Sequence, residues 1–316
     1  MMQNIMKLDR RSLNLHKHKI KAFIWSIART TLLIGLSFMV LYPLFFRFIQ
    51  SIKSSADLAN PAVLFIPDHP TFANYQTTIE ASNYFISFLF TAVFTFITSI
   101  LQITSCILVA YGLARFKFPG NKIIFTCAIL TLIIPPQTMV LPLYLRFRFF
   151  NPLNFFKFSG IMNGIDLTNT LIPFILLSVT ANAFRNGLYI FLFRQYYKNL
   201  PYVLEEAAYL DGCGPLKTFY KIMLPGSVSM IITVFLFSFV WQWNDNFYPS
   251  QFASNMPFLT VKLLNMHFAT LGTFSDMYNA SLVTPKFFLL VTPLIFLYIF
   301  AQRFFTESIE RSGIVG

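Results

Sequence analysis

Six long apolar runs dominate this chain of 316 residues and limit what it can fold into. A helix needs about 20 mainly apolar residues to cross a bilayer. The composition agrees: 56% of the residues are hydrophobic and 11% are charged, against about a quarter charged in an ordinary soluble domain. We therefore predict an all-α membrane protein with six crossings, at roughly 24–46, 85–112, 123–145, 170–193, 227–248 and 281–304. No cleavage-site pattern follows the first run, so we expect it to be retained.

The distribution of basic residues predicts the orientation. Fifteen of the 24 Lys and Arg lie in the amino-terminal segment, the loop near Arg115, the loop after the fourth run and the carboxyl-terminal tail. Cytoplasmic loops carry such an excess, so both termini are predicted to be cytoplasmic in a multi-pass protein of the cell (inner or plasma) membrane. Arg146, Arg148 and Lys157 lie on the wrong side for this rule. The net charge of +12 then belongs to loops beside the membrane, and no nucleic-acid partner is expected.

This topology divides the chain into three parts. We expect a cytoplasmic amino-terminal segment at 1–23, a membrane domain at 24–305 and a cytoplasmic tail at 306–316. Pro135 and Pro136 should break the third run near its middle, because proline removes a backbone donor and clashes with the preceding turn. The break is either a packing kink or a helix interrupted beside a transport pathway.

A polar stretch between the fourth and fifth runs, at about 200–225, reads "NLPYVLEEAAYLDGCGPLKTFYKIMLPG". Pro201 can open a helix, and the two acids after it would lie near the positive end of that helix's dipole. Gly212 can take the left-handed conformation that ends a helix, and Gly214-Pro215 turns the chain into a second one. The spacing predicts a helix–turn–helix bracket that either docks on a partner or is a plain interfacial loop.

The same stretch resembles the "EAA" loop of ABC-importer permeases. The pattern is Glu-Ala-Ala, three residues, Gly, nine residues and Ile-x-Leu-Pro, and every spacing is kept here. In that family the loop is the coupling helix that docks on the ATPase subunit. "YGLARFKFPG" (111–120), "FLFRQYYKNLP" (191–201) and "AQRFFTESIERSGIVG" (301–316) resemble the smaller, maltose-type permease of carbohydrate importers. The coupling residues that this resemblance indicates, with their immediate neighbours, are Glu205, Glu206, Ala207, Ala208, Asp211, Gly212, Ile222, Leu224 and Pro225.

The resemblance implies a type I ABC importer permease fold with the coupling loop in the cytoplasm. It also implies four kinds of partner besides membrane lipid: a second permease subunit, two ATP-binding subunits, an external solute-binding protein, and a sugar or oligosaccharide. The outer loop at about 249–280 would contact the binding protein, and the tail "SGIVG" could reach between the ATPase subunits. The chain has no G-x-x-x-x-G-K-[ST] motif, so ATP and magnesium would be bound by the partner subunits and no cofactor by this chain.

The outer end of the fifth run, "FVWQWNDNFYPS", is a candidate solute path. Sugars need flat apolar faces and hydrogen-bonding groups, and this stretch offers both. The same residue types also form interfacial aromatic belts. On one helix Trp241 and Asp245 would share a face at i and i+4 while Trp243 points elsewhere. We therefore predict a path of Trp241, Asn244 and Asp245.

The residues that alternative functions would require do not occur in the expected patterns. A stand-alone channel or secondary transporter would need ion-coupling carboxylates within the spans, and an enzyme would need clustered His, Asp, Glu or Cys. Neither pattern occurs, so no catalytic or metal site is predicted. Arg185, within the fourth run, either reaches towards the cytoplasm or pairs across the bundle. A permease for a polyol or a glycerol phosphate ester remains the alternative to a sugar permease.

Overall fold

The structure is a computed structural model, and it describes residues 2–152, 164–266 and 273–313, with side chains over 21–152, 164–266 and 279–302. No strand occurs in these ranges, where β-pairing is limited to isolated bridges between Lys53 and Pro70 and between Phe150 and Ile165. The helices are α1 Met2–Ser51, α2 Ser55–Ala59, α3 Ala73–Ser82, α4 Tyr84–Arg115, α5 Asn121–Leu130, α6 Pro136–Arg148, α7 Ile172–Val179, α8 Asn186–Asn199, α9 Val203–Leu210, α10 Pro215–Thr218, α11 Leu224–Gly226, α12 Val228–Trp243, α13 Phe247–Phe252, α14 Leu259–Leu264 and α15 Thr273–Gly313.

Three described helices are long and apolar enough to cross a membrane: Lys21–Ser51 of α1, Tyr84–Arg115, and Asn279–Gln302 of α15. They coincide with the first, second and sixth predicted crossings. A fourth candidate is a bent pair, Pro215–Gly226 with Val228–Trp243, whose axes differ by 75°. The fifth run ends as a helix at Trp243 and not at residue 248, because the polar Asn244 and Asp245 follow it.

The third and fourth runs are each divided. As predicted, the third breaks around Pro135, and Pro136 then opens α6 from its first turn, where no backbone donor is needed. The fourth run, predicted as a crossing at 170–193, is divided without a prediction of the break, since α7 ends at Val179 and α8 begins at Asn186. Between them Ala181 and Arg185 have positive φ, 56° and 65°. The average hydropathy of this run carries no sign of the break.

The chain forms two compact units. The first comprises residues 1–75 and 268–285. In it the buried Lys53 donates from Nζ to the carbonyls of Val63 (2.6 Å) and Leu64 (2.8 Å), and the Asp57 carboxylate accepts the His69 N–H at 2.9 Å. These contacts close the segment after α1 into a compact turn.

The second unit comprises residues 76–267 and 286–316, and α4 is its central helix. Helices α7, α8, α12 and α14 pack against α4. Two faces of α4 contact these helices. The apolar face of α4, on which Cys106 and Ala110 are fully buried, meets Phe193 and Tyr197 of α8. The polar face of α4 carries buried Thr, Ser and Gln side chains, which bond to α12. Small and polar residues let membrane helices approach closely.

Gly187 marks the tightest described contact of the second unit. A Cβ at this position would lie 2.2 Å from the Ala128 carbonyl oxygen and 2.6 Å from Thr131 Oγ1. Helices α5 and α8 therefore meet backbone to backbone, and only glycine fits without displacing one of them.

Candidate functional site

The predicted bracket is present at residues 203–226. Helix α9 carries the Glu-Ala-Ala sequence, and Gly212 follows it in the left-handed conformation, φ +76°, as predicted. Pro215 opens α10, also as predicted. Pro201 lies two residues before the first helical residue, Val203, so it precedes the helix and does not open it. A π-helical segment at Phe219–Met223, which contains Ile222, leads into α11 with Leu224 and Pro225.

The two acids of α9 have different environments. Glu205 is buried: its Oε1 accepts the Tyr111 hydroxyl at 3.2 Å and lies 3.2 Å from Arg115 Nε. Glu206 is exposed. Both lie in the first turn, where the dipole favours anions, but only Glu205 is tied to the end of α4.

Arg115 joins the bracket to α4 through three contacts. Besides the Glu205 ion pair, its Nη2 donates to the Leu200 carbonyl at 2.9 Å, and its guanidinium lies 4.2 Å from the centre of the Tyr202 ring. The side chain is 2% exposed. These contacts tie the start of α9 to the end of α4, the central helix of this unit. In the sequence Arg115 counted only towards the orientation, and these contacts were not predicted.

The bracket exposes several apolar side chains besides its charged ones. Ala208 is buried, whereas Val203, Leu210 and Leu216 are 68%, 89% and 72% exposed. Ala207 and Asp211 are also exposed. A cluster of apolar side chains on a polar loop is typical of a surface that binds another protein.

A cavity of about 360 Å³ lies between α6, α7, α8 and the end of α12. Its wall includes the three residues predicted as a solute path, Trp241, Asn244 and Asp245, together with Arg185 and Gln102. The i, i+4 argument that grouped them is wrong, because α12 ends at Trp243 and Asp245 lies beyond it. The chain brings Asp245 to the wall by a turn: its Oδ1 accepts the N–H groups of Phe247 (2.9 Å) and Tyr248 (3.3 Å).

The two tryptophans of α12 differ as the sequence suggested. Trp243 is buried, and its Nε1 donates to the Leu290 carbonyl at 3.0 Å. Trp241 faces the cavity, with the Arg185 guanidinium 3.8 Å from its ring centre. Of the two predicted alternatives, Arg185 therefore pairs across the bundle, with Trp241 of α12, and it forms no ion pair with a carboxylate among the described residues.

A polar seam joins α4 and α12 beneath the cavity; it consists of Thr98, Ser99, Gln102, Ser238 and Gln242. Gln242 Oε1 accepts the Thr98 hydroxyl at 2.5 Å, and Gln242 Nε2 donates to Ser99, Gln102 and Ser238 at 3.0, 3.3 and 2.9 Å. Ser238 also donates to Gln102 Oε1 at 2.7 Å. Thr98, Ser99 and Gln102 of the second run, at i, i+1 and i+4 on one helix, were the sequence signal for this seam.

Across the described residues no group of His, Cys, Asp or Glu could hold a metal ion. Part of the predicted binding-protein loop (residues 267–272, including His267), Lys157 and the end of the tail (314–316) lie outside the described residues.

Comparison with known proteins decides the family. A model of the binding-protein-dependent transport system inner membrane components matches residues 102–311, more than half of the chain. The chain belongs to this family. It is an integral membrane protein of the transport apparatus and not an enzyme, and the resemblance inferred from the EAA loop is confirmed.

Relatives in this permease family extend over almost the whole chain. The arabinooligosaccharides transport system permease protein of Bacillus subtilis is 26% identical over 305 residues, 95% of this chain and 99% of that protein. The diacetylchitobiose uptake system permease protein of Streptomyces coelicolor is 30% identical over 222 residues, 69% of this chain and 66% of that protein. The sn-glycerol-3-phosphate transport system permease protein of Brucella abortus is 24% identical over 300 residues, 90% and 96% of the two chains.

A solved structure has the same fold as this chain. It is a bacterial ABC transporter involved in the import of the acidic polysaccharide alginate, and the TM-score is 0.65 at 20% sequence identity. The match covers 89% of this chain and 96% of that one. The all-helical type I importer permease fold follows from this likeness and the family match together.

Proposed function

We propose that this chain is the permease subunit of an ATP-driven importer that moves a sugar or oligosaccharide delivered by an external solute-binding protein. The cavity at the outer end of α12 carries the proposal. Asp245 adds a negative charge to its wall, Trp241 supplies a flat apolar face there, and Asn244 and Gln102 supply hydrogen-bonding groups. Carbohydrate sites combine the last two features, because a pyranose has an apolar C–H face and a rim of hydroxyls.

The bracket at 203–226 is proposed as the cytoplasmic coupling loop. Its exposed Val203, Leu210 and Leu216 suit an apolar groove on an ATP-binding subunit, and the Glu205–Arg115 pair would pass the motion to α4. In this arrangement two partner subunits bind ATP and magnesium, and a second permease subunit completes the path.

The topology is proposed from the basic residues. Six crossings, with α5–α6 and α7–α8 each forming one broken crossing, would place both termini in the cytoplasm. The membrane domain would then be 24–305, flanked by the cytoplasmic segments 1–23 and 306–316. Broken membrane helices are tolerated where they line a cavity, and both breaks flank the cavity wall.

The choice of solute class rests on the relatives and the cavity. Arabinooligosaccharides and diacetylchitobiose appear in the names of two relatives, and sn-glycerol-3-phosphate in that of a third. An aromatic wall favours a solute with a ring, since an acyclic glycerol ester has no flat C–H face. A sugar is therefore the first candidate and a glycerol phosphate ester the second.

Uptake by the reconstituted complex tests the proposal. Proteoliposomes holding the complete complex with its binding protein would be offered labelled arabinotriose, diacetylchitobiose and glycerol 3-phosphate. We expect uptake of at least one of the two sugars. Trp241→Ala should reduce it about tenfold, the equivalent of about 1.4 kcal/mol, with the complex still assembled.

Trp243→Phe is the matched control, because Trp243 is buried outside the cavity. It should lower the thermal stability of the complex and leave uptake by each assembled complex unchanged. If glycerol 3-phosphate is the only solute taken up, the solute class is a glycerol phosphate ester and not a sugar. Normal uptake by Trp241→Ala would remove this residue from the path.

A further inference from the structure

One face of the Trp241 ring, which lines the cavity, is already covered. The Arg185 guanidinium lies over the indole ring at 3.8 Å from its centre. A flat guanidinium and a sugar ring stack on an aromatic face in the same way, so they cannot occupy it together. In the conformation described here, a solute can stack on this face only after Arg185 moves.

Asp245 offers the Arg185 guanidinium a second binding partner. It forms no ion pair among the described residues, although Asp245 lines the same cavity and acts on it electrostatically. Only one Asp245 oxygen, Oδ1, accepts the backbone N–H groups that close its turn. The other oxygen is available to a cation that leaves the Trp241 face.

The backbone around Arg185 is suited to such a movement. The residue lies in the break between α7 and α8, at the N-cap of α8, and its φ is +65°. Residues other than glycine rarely adopt this conformation, and where they do they cluster at binding sites and switch regions. A charged side chain within a membrane protein also faces a cavity or a partner by default.

We propose that Arg185 is a movable cover of the solute path: it occupies Trp241 while the path is empty and moves to Asp245 when a sugar ring stacks on the indole. This inference rests on the proposed solute path. It makes Arg185 a specificity-determining residue, because only a solute with a flat C–H face compensates for the contact that Arg185 gives up. An acyclic polyol or glycerol phosphate ester would leave the cover in place.

The first test requires no solute. It uses the assembled complex with Trp25→Phe and Trp243→Phe, which leaves Trp241 as the only tryptophan of this chain. The tryptophans of the partner subunits would also be replaced by phenylalanine, so that the fluorescence comes from Trp241. Arg185→Ala should increase quenching of its fluorescence by acrylamide, because the ring face that the guanidinium covers becomes accessible. Arg148→Ala is the control: this arginine lies 5.9 Å from the Tyr144 ring centre and outside the cavity wall, and quenching should not change.

The second test uses uptake of labelled arabinotriose. Arg185→Ala should lower the concentration for half-maximal uptake by roughly two- to thirtyfold, the range of a cation–π contact. Asp245→Asn, which keeps an acceptor for the turn, should raise that concentration because a displaced Arg185 has no anion to meet. The double variant should behave like Arg185→Ala alone.

The two measurements separate the possible failures. Unchanged quenching in Arg185→Ala would overturn the cover. An equal effect of Asp245→Asn with and without Arg185 would also overturn it, because Asp245 would then bind solute directly. If arabinotriose is not transported at all, the carbohydrate assignment fails on that solute while the quenching result still decides whether Arg185 covers Trp241.

Discussion

Single side chains at the carboxyl-terminal end of α4 connect the bracket to the rest of the second unit. Glu205 and Glu206 are neighbours of the same type on the same turn, but one is buried beside Arg115 and the other is exposed. Removing one partner of a buried ion pair leaves an uncompensated charge, which costs far more than the pair contributes. The two positions therefore offer a matched comparison.

Glu205→Gln is expected to destabilise the complex by about 3 kcal/mol, because Arg115 keeps its charge at a buried site. Glu206→Gln should change stability by less than about 0.5 kcal/mol. Thermal unfolding of the purified complex measures both. A double variant with Arg115→Gln should recover part of the loss. Equal midpoints for the two single variants would contradict a structural ion pair at Glu205.

At the scale of the element, glycine conformation shapes the bracket. Gly212 has φ +76° and Gly214 has φ −76°, and a Cβ at either would meet nothing within 4 Å. The same substitution at both positions therefore isolates backbone strain from steric contact.

Gly212→Val should disrupt the turn after α9, since a β-branched residue resists the left-handed region. We expect poor assembly, or ATP hydrolysis without uptake. Gly214→Val should be mild because its backbone is extended. ATPase activity stimulated by the binding protein and solute uptake are the two readouts. Wild-type values for both in Gly212→Val would contradict a coupling role for this turn.

Helix contact gives a second prediction at this scale. Gly187→Ala would bring a Cβ within 2.2 Å of the Ala128 carbonyl, so α5 and α8 must separate, at a cost of about 1–3 kcal/mol or more. Gly112→Ala is the control, since its nearest neighbour is Phe116 Cδ2 at 4.0 Å. It should be neutral or slightly stabilising. Thermal unfolding of both variants in one membrane mimetic provides the comparison, and equal midpoints would refute the backbone contact.

For the whole molecule, the orientation is the property to measure. Reporter fusions after Gly120 and after Gly316 should both report cytoplasm, because the excess of Lys and Arg flanks these points. A fusion after Asn60 should report the outside. A cytoplasmic signal at Asn60, or an external one at Gly120, would invert or break the proposed topology.

The sequence predicted the parts of this molecule that depend on local chemistry. The Pro135–Pro136 break, the left-handed Gly212 and the start of α10 at Pro215 each follow from one or two residues. The break between α7 and α8 was not predicted, because it contains no proline and the positive φ of Ala181 and Arg185 is unusual for these residue types. The partners of Arg115 and Arg185 are set by helix packing between distant segments.

The seam between α4 and α12 has a consequence for the divergence of this family. Gln242 Nε2 and Gln102 Oε1 each have more than one partner there, so the loss of a single hydroxyl leaves every remaining amide with a hydrogen bond. Such redundancy permits neutral drift at Ser99 or Ser238 one at a time. Replacement of Gln242 removes several bonds at once. Lineages should therefore vary at Ser99 or Ser238, one at a time, and retain the Gln242 amide with its Thr98 donor, or else replace the whole seam with apolar residues together.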